Sequence, residues 1–220
     1  MTSPPLKLHG FFNSSASYRV RIALGLKGMA WEHIGVNIRT GVQNDPDYRA
    51  VNPAALVPTL QHGNQHVTQS LAIIDHLDRL QPEPRLIPAD GLARDRVLEI
   101  ALLIACDIHP LNNLRVLRFL AGPLDLSDAQ KNTWATHWIA AGFDALEALL
   151  PESANSHDSW CVGSTPTLAD CCLVPQVANA QRIGFDLAPY PRIRRIYAFC
   201  QRHPAFAAAL PSAQPDFILT

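Results

Sequence analysis

The chain carries almost no net charge: 18 basic and 19 acidic residues leave a formal balance of −1 over 220 positions. A nucleic-acid binder normally has a basic excess, so no nucleic-acid partner is expected. No uninterrupted apolar run reaches the roughly 18 residues that a membrane span requires, so no membrane partner is expected either. The opening segment, Met1-Thr-Ser-Pro-Pro-Leu-Lys7, lacks the apolar stretch of a signal peptide, which points to a cytoplasmic location. Cysteine is sparse and unpatterned. Cys106, Cys161, Cys171, Cys172 and Cys200 are odd in number and form no C-x-x-C pair, which suits free thiols rather than a disulfide framework. The nine histidines form neither H-E-x-x-H nor a Cys/His spacing suited to zinc, so no metal is expected. Internal repeats and low-complexity tracts are missing too. What remains is 48% hydrophobic and 17% charged, a globular balance with enough length for one or two domains.

The first 80 residues change period repeatedly. Leu6 to Phe12 reads as a strand, and Ala16, Val20, Ala23 and Leu24 then recur at helical spacing. Lys27-Gly28 suits the end of that helix, with a base in the last turn and a glycine stop. Ile34, Val36 and Ile38 alternate as in a second strand. After a polar stretch, Leu56-Val-Pro-Thr-Leu60 and Val67 flank Gly63-Asn64, a two-residue hairpin signal. A helix is expected from Ser70, with Ile73, Leu77 and Leu80 on one face. This β-α-β then β-β-α order fits a small α/β domain over residues 1–83. A proline-rich stretch over 84–92 reads as a linker, and 93–220 as all-helical. Val97, Ile100, Ala101, Ile104 and Ile108 form one stripe there, and Ile139, Phe143, Leu146 and Leu150 another. Thr167-Leu-Ala-Asp170 has capping-box form ahead of a helix that Pro175 is expected to bend.

Two segments carry chemistry. At Asn13-Ser-Ser-Ala-Ser17 a strand runs into a helix start with three serines, where unpaired backbone amides and partial positive charge can receive an anion. The serines can equally serve only as helix caps. The second segment is Val57-Pro58 before a short strand, followed by Gln69-Ser70 at a helix start. X-Pro is the main source of cis peptides, and a cis bond here would turn the Val57 backbone toward an extended ligand; a plain turn proline is the alternative. Ser70 can cap its helix, meet a ligand carboxylate, or do both.

Ser14-Ser-Ala-Ser-Tyr-Arg-Val-Arg-Ile-Ala-Leu24 resembles the S-S-C-S-x-R-V-R-I-A-L signature of zeta-class glutathione transferases. Asn52-Pro, Val57-Pro-Thr-Leu60, Gln69-Ser-Leu-Ala-Ile-Ile74, Pro110-Leu-Asn-Asn-Leu114, Leu173-Val-Pro-Gln-Val-Ala-Asn-Ala180 and Asp186-Leu-Ala-Pro-Tyr-Pro191 resemble the same family. The resemblance implies a thioredoxin-like glutathione-binding domain, an all-α second domain, and a homodimer. It implies glutathione contacts at Ser14, Ser15, the backbone of Val57 before cis-Pro58, Gln69 and Ser70. It adds His109 and Asn113, whose i, i+4 spacing would place both on one helical face. Ser14 and Ser15 would activate the thiol.

Two departures stand out: the family's usual cysteine is Ala16, and its frequent arginine before the serine pair is Asn13. With no thiol helper at position 16, activation must rest on the serines. Arg115 and Arg182 remain as candidates to hold substrate carboxylates, since the guanidinium fork matches them in pairs; each can also be a surface or ion-pair arginine. The function implied is a glutathione-dependent cis–trans isomerase of a maleyl compound, maleylpyruvate or maleylacetoacetate. Two alternatives stay open. One is a broad transferase that conjugates or dehalogenates small α-halo acids, and the other a non-catalytic binding protein of the same fold.

Overall fold

Alternation sets the central strand. In β1 (Leu6–Gly10) every second residue is buried, because Leu6 and Leu8 point into the core beneath the sheet. The computed structural model describes residues 4–152 and 160–218. β1 leads into α1 (Ser15–Leu26), which ends at Lys27 with Gly28 at φ +62°, a backbone conformation suited to glycine. β2 (Trp31–Gly35) then pairs parallel to β1. The strand begins earlier than the Ile34–Val36–Ile38 alternation suggests. Val36 lies beyond it, although its amide still donates to the Gly10 carbonyl at 2.7 Å. A short helix, α2 (Pro46–Val51), forms in the stretch read as merely polar. β3 (Thr59–His62) and β4 (Gln65–Thr68) form the expected hairpin around Gly63, whose φ is +60°. The sheet order is β2-β1-β3-β4, and α3 (Ser70–Leu80) follows.

The chain divides into two compact units, one up to Ile87 together with the chain from Gln201 on, the other Pro88–Cys200. The stretch read as a linker from residue 84 is therefore partly core. Leu86 and Ile87 are buried, and both their amides donate to the Asp78 carboxylate at 3.0 and 2.8 Å. Lys27, also buried, sits 2.7 Å from Asp78 and donates to the Gln81 and Pro84 carbonyls. The expected 93–220 helical domain loses its tail to the first unit. The tail's short helix α9 (Pro204–Ala208) packs on α1. A Cβ on Gly25 would lie 3.1 Å from the Ala205 Cβ, so the glycine is what lets the two backbones approach. An apolar, small-residue contact made across nearly the whole chain leaves no local pattern to read.

The second unit contains α4 (Gly91–Leu102), a π-helical segment (Leu103–Ile108), a 3-10 turn (His109–Asn112), α5 (Leu114–Ala121), α6 (Asp128–Leu149), α7 (Leu168–Arg182) and α8 (Pro191–Gln201). Val97, Ile100, Ala101, Ile104 and Ile108 are fully buried, as are Ile139, Phe143 and Leu146, while Leu150 is almost so, so both stripes form the core of this unit. The Thr167–Asp170 capping box is present in both halves, and α7 runs through Pro175 to Arg182. By length and composition the stretch Gly91–Ala121 is apolar enough to cross a membrane, which a count of uninterrupted apolar runs misses. It is interrupted between His109 and Asn113, however, and its most apolar face is the buried stripe.

Candidate glutathione site

Register gathers three segments at one end of the sheet. His9, near the end of β1, pairs with Thr59 at the start of β3, and Thr59 pairs with Thr68 at the end of β4. The loop leading to Ser14, the Val57-Pro58 bond and Gln69-Ser70 therefore all leave the sheet from the same edge, where β1 and the parallel β2 both end. Ligands in open α/β sheets settle at such carboxyl ends.

Ser14 is the N-cap of α1. Its backbone is extended (φ −77°, ψ 119°) and its Oγ accepts the Ser17 amide at 3.2 Å. The cap and the proposed anion contact are thus compatible. A hydroxyl has acceptor lone pairs and one proton, and the Ser17 amide occupies only the acceptor side. Ser14 is half-buried, whereas Ser15 and Ser17 are buried, and Ser17 Oγ accepts the Phe11 amide. Val57-Pro58 is cis. The loop before it is fixed at Leu56, whose carbonyl accepts the Tyr48 hydroxyl and the Asn52 side-chain amide, both at 2.7 Å.

Gln69 stands at φ +67°, ψ 117°, a conformation that a residue with a Cβ adopts only at a cost of about 1–3 kcal/mol. It is the N-cap of α3 but supplies no side-chain cap, so the first turn of that helix has no side chain of Gln69 on its amides. Ser70 is buried, and its Oγ accepts from Arg19 Nη1 at 3.2 Å. Both arginines of the Arg19-Val-Arg21 run are buried, contrary to the surface placement that charge alone suggests. Arg21 spends its donors on three carbonyls: Ala209 at 3.1 Å, Phe11 at 3.4 Å and Phe12 at 3.0 Å. Burial lowers its pKa to about 10. Asp216 completes the support of this loop. Its Oδ2 accepts the Phe12 amide at 3.0 Å, and His33 Nε2 lies 3.0 Å from its Oδ1, out of line for a hydrogen bond. Sequence reasoning missed Arg19, Arg21 and Asp216. The one available signal was two arginines on a helix whose neighbours are otherwise apolar.

The remaining candidates belong to the second unit. His109 opens the 3-10 turn and Asn113 closes it in extended conformation, so the two do not share a helical face as their spacing suggests. The helix stops there because Pro110 supplies no amide and Asn113 caps α5, its Oδ1 accepting the Arg115 and Val116 amides at 3.1 and 3.2 Å. Arg115 is exposed in the first turn of α5, and Arg182 is exposed in the last turn of α7.

Comparison with known proteins agrees with this arrangement. The N-terminal domain family of glutathione S-transferases matches residues 8–85, and the C-terminal domain family matches 132–207. The chain is 46% identical to a probable maleylacetoacetate isomerase of Vibrio cholerae, over 96% of this chain and 98% of that protein. It superposes on the holo structure of a maleyl pyruvate isomerase, described as a bacterial zeta-class glutathione S-transferase, with a TM-score of 0.92 at 45% identity, covering 96% of this chain and 100% of that one. A maleylacetoacetate isomerase from Anaeromyxobacter dehalogenans, solved with dicarboxyethyl glutathione and citrate in its active site, gives a TM-score of 0.86 at 36% identity, covering 99% and 96% of the respective chains. With both domains matched and the likeness sustained over nearly its whole length, the chain belongs to the glutathione S-transferase family, within its zeta class.

Proposed function

We propose that the protein is a glutathione-dependent cis–trans isomerase of a maleyl compound, maleylpyruvate or maleylacetoacetate. The observation that carries the reading is the arrangement of Ser14 and Ser70 at one sheet end. Each oxygen already accepts a hydrogen bond from the protein, Ser14 from the Ser17 amide and Ser70 from Arg19, so each hydroxyl proton is left to donate outward to an anion. That is the donor set a thiolate and a carboxylate need. Bound glutathione would supply a thiolate able to add reversibly to the maleyl double bond, making it a single bond that can rotate before the thiolate leaves.

Ser14, aided by Ser15 and the start of α1, would hold the sulfur and favour its ionised form. The Val57 backbone, Gln69 and Ser70 would hold the tripeptide, and His109 and Asn113 remain candidates for further glutathione contacts. Asn113 commits its carbonyl to the α5 cap, which leaves its amide group as a donor. Arg115 and Arg182 would orient substrate carboxylates and stabilise charge that develops on the conjugated carbonyl. Dicarboxyethyl glutathione in the Anaeromyxobacter structure unites glutathione with a dicarboxylate skeleton, the two components this reading requires. The same reading makes the protein a cytoplasmic homodimer.

The deciding assay follows maleylpyruvate and maleylacetoacetate with and without glutathione. Isomerisation that requires glutathione and leaves its concentration unchanged over many turnovers is the expected result. Stoichiometric loss of glutathione would instead make the protein a conjugating or dehalogenating transferase. Failure to be retained on immobilised glutathione would make it a non-catalytic relative.

A further inference from the structure

We infer that Arg19 is a positioning residue for anion recognition at the start of α3: its buried guanidinium fixes the direction of the Ser70 proton and supplies the positive charge of that subsite. The inference rests on the glutathione site proposed above.

Arg19 is 2% exposed. Its one hydrogen bond among the described residues is from Nη1 to Ser70 Oγ, and Nε and Nη2 are buried with no hydrogen-bond partner. No carboxylate of the described residues forms an ion pair with it. Burying a charge without compensation is costly, and Arg21, two residues on, shows how the same helix satisfies a structural guanidinium with three carbonyls. Arg19 is left with a single contact, and that contact is a site residue. Arginine has no acceptor, so Ser70 must accept, and the serine proton has to point elsewhere. No described residue takes it. An incoming carboxylate would take it, and would also balance the charge behind it. Because Arg19 itself is enclosed, it would act through Ser70 and through space, without touching the ligand.

Calorimetric titration tests this with glutathione and two analogues, one lacking the γ-glutamyl α-carboxylate and one with the glycyl carboxylate amidated. The proteins compared are wild type, Arg19→Gln, Arg19→Lys, Ser70→Ala and the Arg19→Gln/Ser70→Ala double variant. Arg19→Gln is expected to weaken glutathione binding by at least about tenfold, as befits loss of a charge-assisted contact. Against the analogue that lacks the recognised carboxylate, it should bind as well as wild type does. Ser70→Ala should lose the same discrimination and add little in the double variant. Should Arg19→Gln unfold, Arg19→Lys carries the test, with the same selectivity pattern and a smaller loss. Equal weakening toward glutathione and both analogues, or fully additive losses in the double variant, would make Arg19 a purely structural residue. Wild-type protein that does not bind glutathione would overturn the proposed function instead, a result visible before any variant is made.

Discussion

At the scale of single residues the site is built from hydroxyls whose direction is set by what they accept. A free thiol with a pKa of about 8.5 is about 3% ionised at pH 7, and lowering that pKa by about two units takes roughly 2.7 kcal/mol. A hydroxyl hydrogen bond to an anion offers about 1.5–3 kcal/mol and a helix start about 0.3–2, so Ser14 and the start of α1 together suffice without a basic side chain. Ser14→Ala is therefore expected to raise the pKa of the bound thiol and to lower turnover by at least about tenfold. Unchanged ultraviolet absorbance of the bound thiolate in that variant would transfer the role to Ser15 or to the helix start alone. Gln69 offers a second test. Its positive φ costs about 1–3 kcal/mol, while glycine there would lose roughly 0.5–1 kcal/mol of backbone entropy on folding. Gln69→Gly should leave stability unchanged or raise it by up to about 2 kcal/mol, yet weaken glutathione binding. A fall in both would show that the Gln69 side chain supports the fold rather than the ligand.

At the scale of elements, what was legible in the sequence is what is local. The Ser14 cap, the Gly63 hairpin and the Thr167–Asp170 capping box each depend on neighbours within a few residues, and each formed where the pattern placed it. His109 and Asn113 do not share the expected helical face because the i, i+4 rule presumes an α-helix, and here a 3-10 turn joins the two residues, directly after a π-helical segment. The apolar stripe itself continues cleanly through Ile108 and gives no sign of the change in winding. Long-range packing meets that segment at its last residue. A Cβ on Gly142 of α6 would fall 2.3 Å from both Ile108 Cγ1 and Cδ1, so the bare glycine face receives the Ile108 side chain. Helix propensity favours alanine over glycine by about 1 kcal/mol, but overpacking a close core contact costs about 1–3. Gly142→Ala is expected to destabilise the protein by up to about 2 kcal/mol in urea unfolding, and in an Ile108→Ala background, where both clashing atoms are gone, the same change should cost little. Full stability in the single variant would mean that Ile108 can swing aside freely.

At the scale of the whole molecule, the first compact unit is discontinuous in sequence, and its site depends on residues far from it along the chain. Ser14, Val57 and Gln69-Ser70 all precede residue 87, yet the loop that delivers Ser14 is held from the opposite terminus. Arg21 reaches Ala209 as well as Phe11 and Phe12, Phe206 is fully buried against α1, and Asp216 takes the Phe12 amide. Ending the chain after Cys200 would remove the Ala209 carbonyl from a buried cation and empty the space filled by Phe206. Losing a buried charge's partner and losing a core phenylalanine each cost about 3–5 kcal/mol, together comparable to the roughly 5–15 kcal/mol that holds a typical domain folded. That truncation is expected to abolish glutathione binding and the cooperative thermal transition of the first unit. Ending the chain after Gln214 keeps both contacts and removes only residues 215–220, Asp216 and Phe217 among them. It should leave the fold intact, because neither the Arg21 anchors nor Phe206 are touched. Its effect should appear as a severalfold weaker affinity for glutathione, since the Phe12 amide loses its acceptor just before Ser14. If the chain ending at Gln214 still binds glutathione as tightly as the full one, residues 215–220 are dispensable and the Phe12 amide needs no acceptor from the tail.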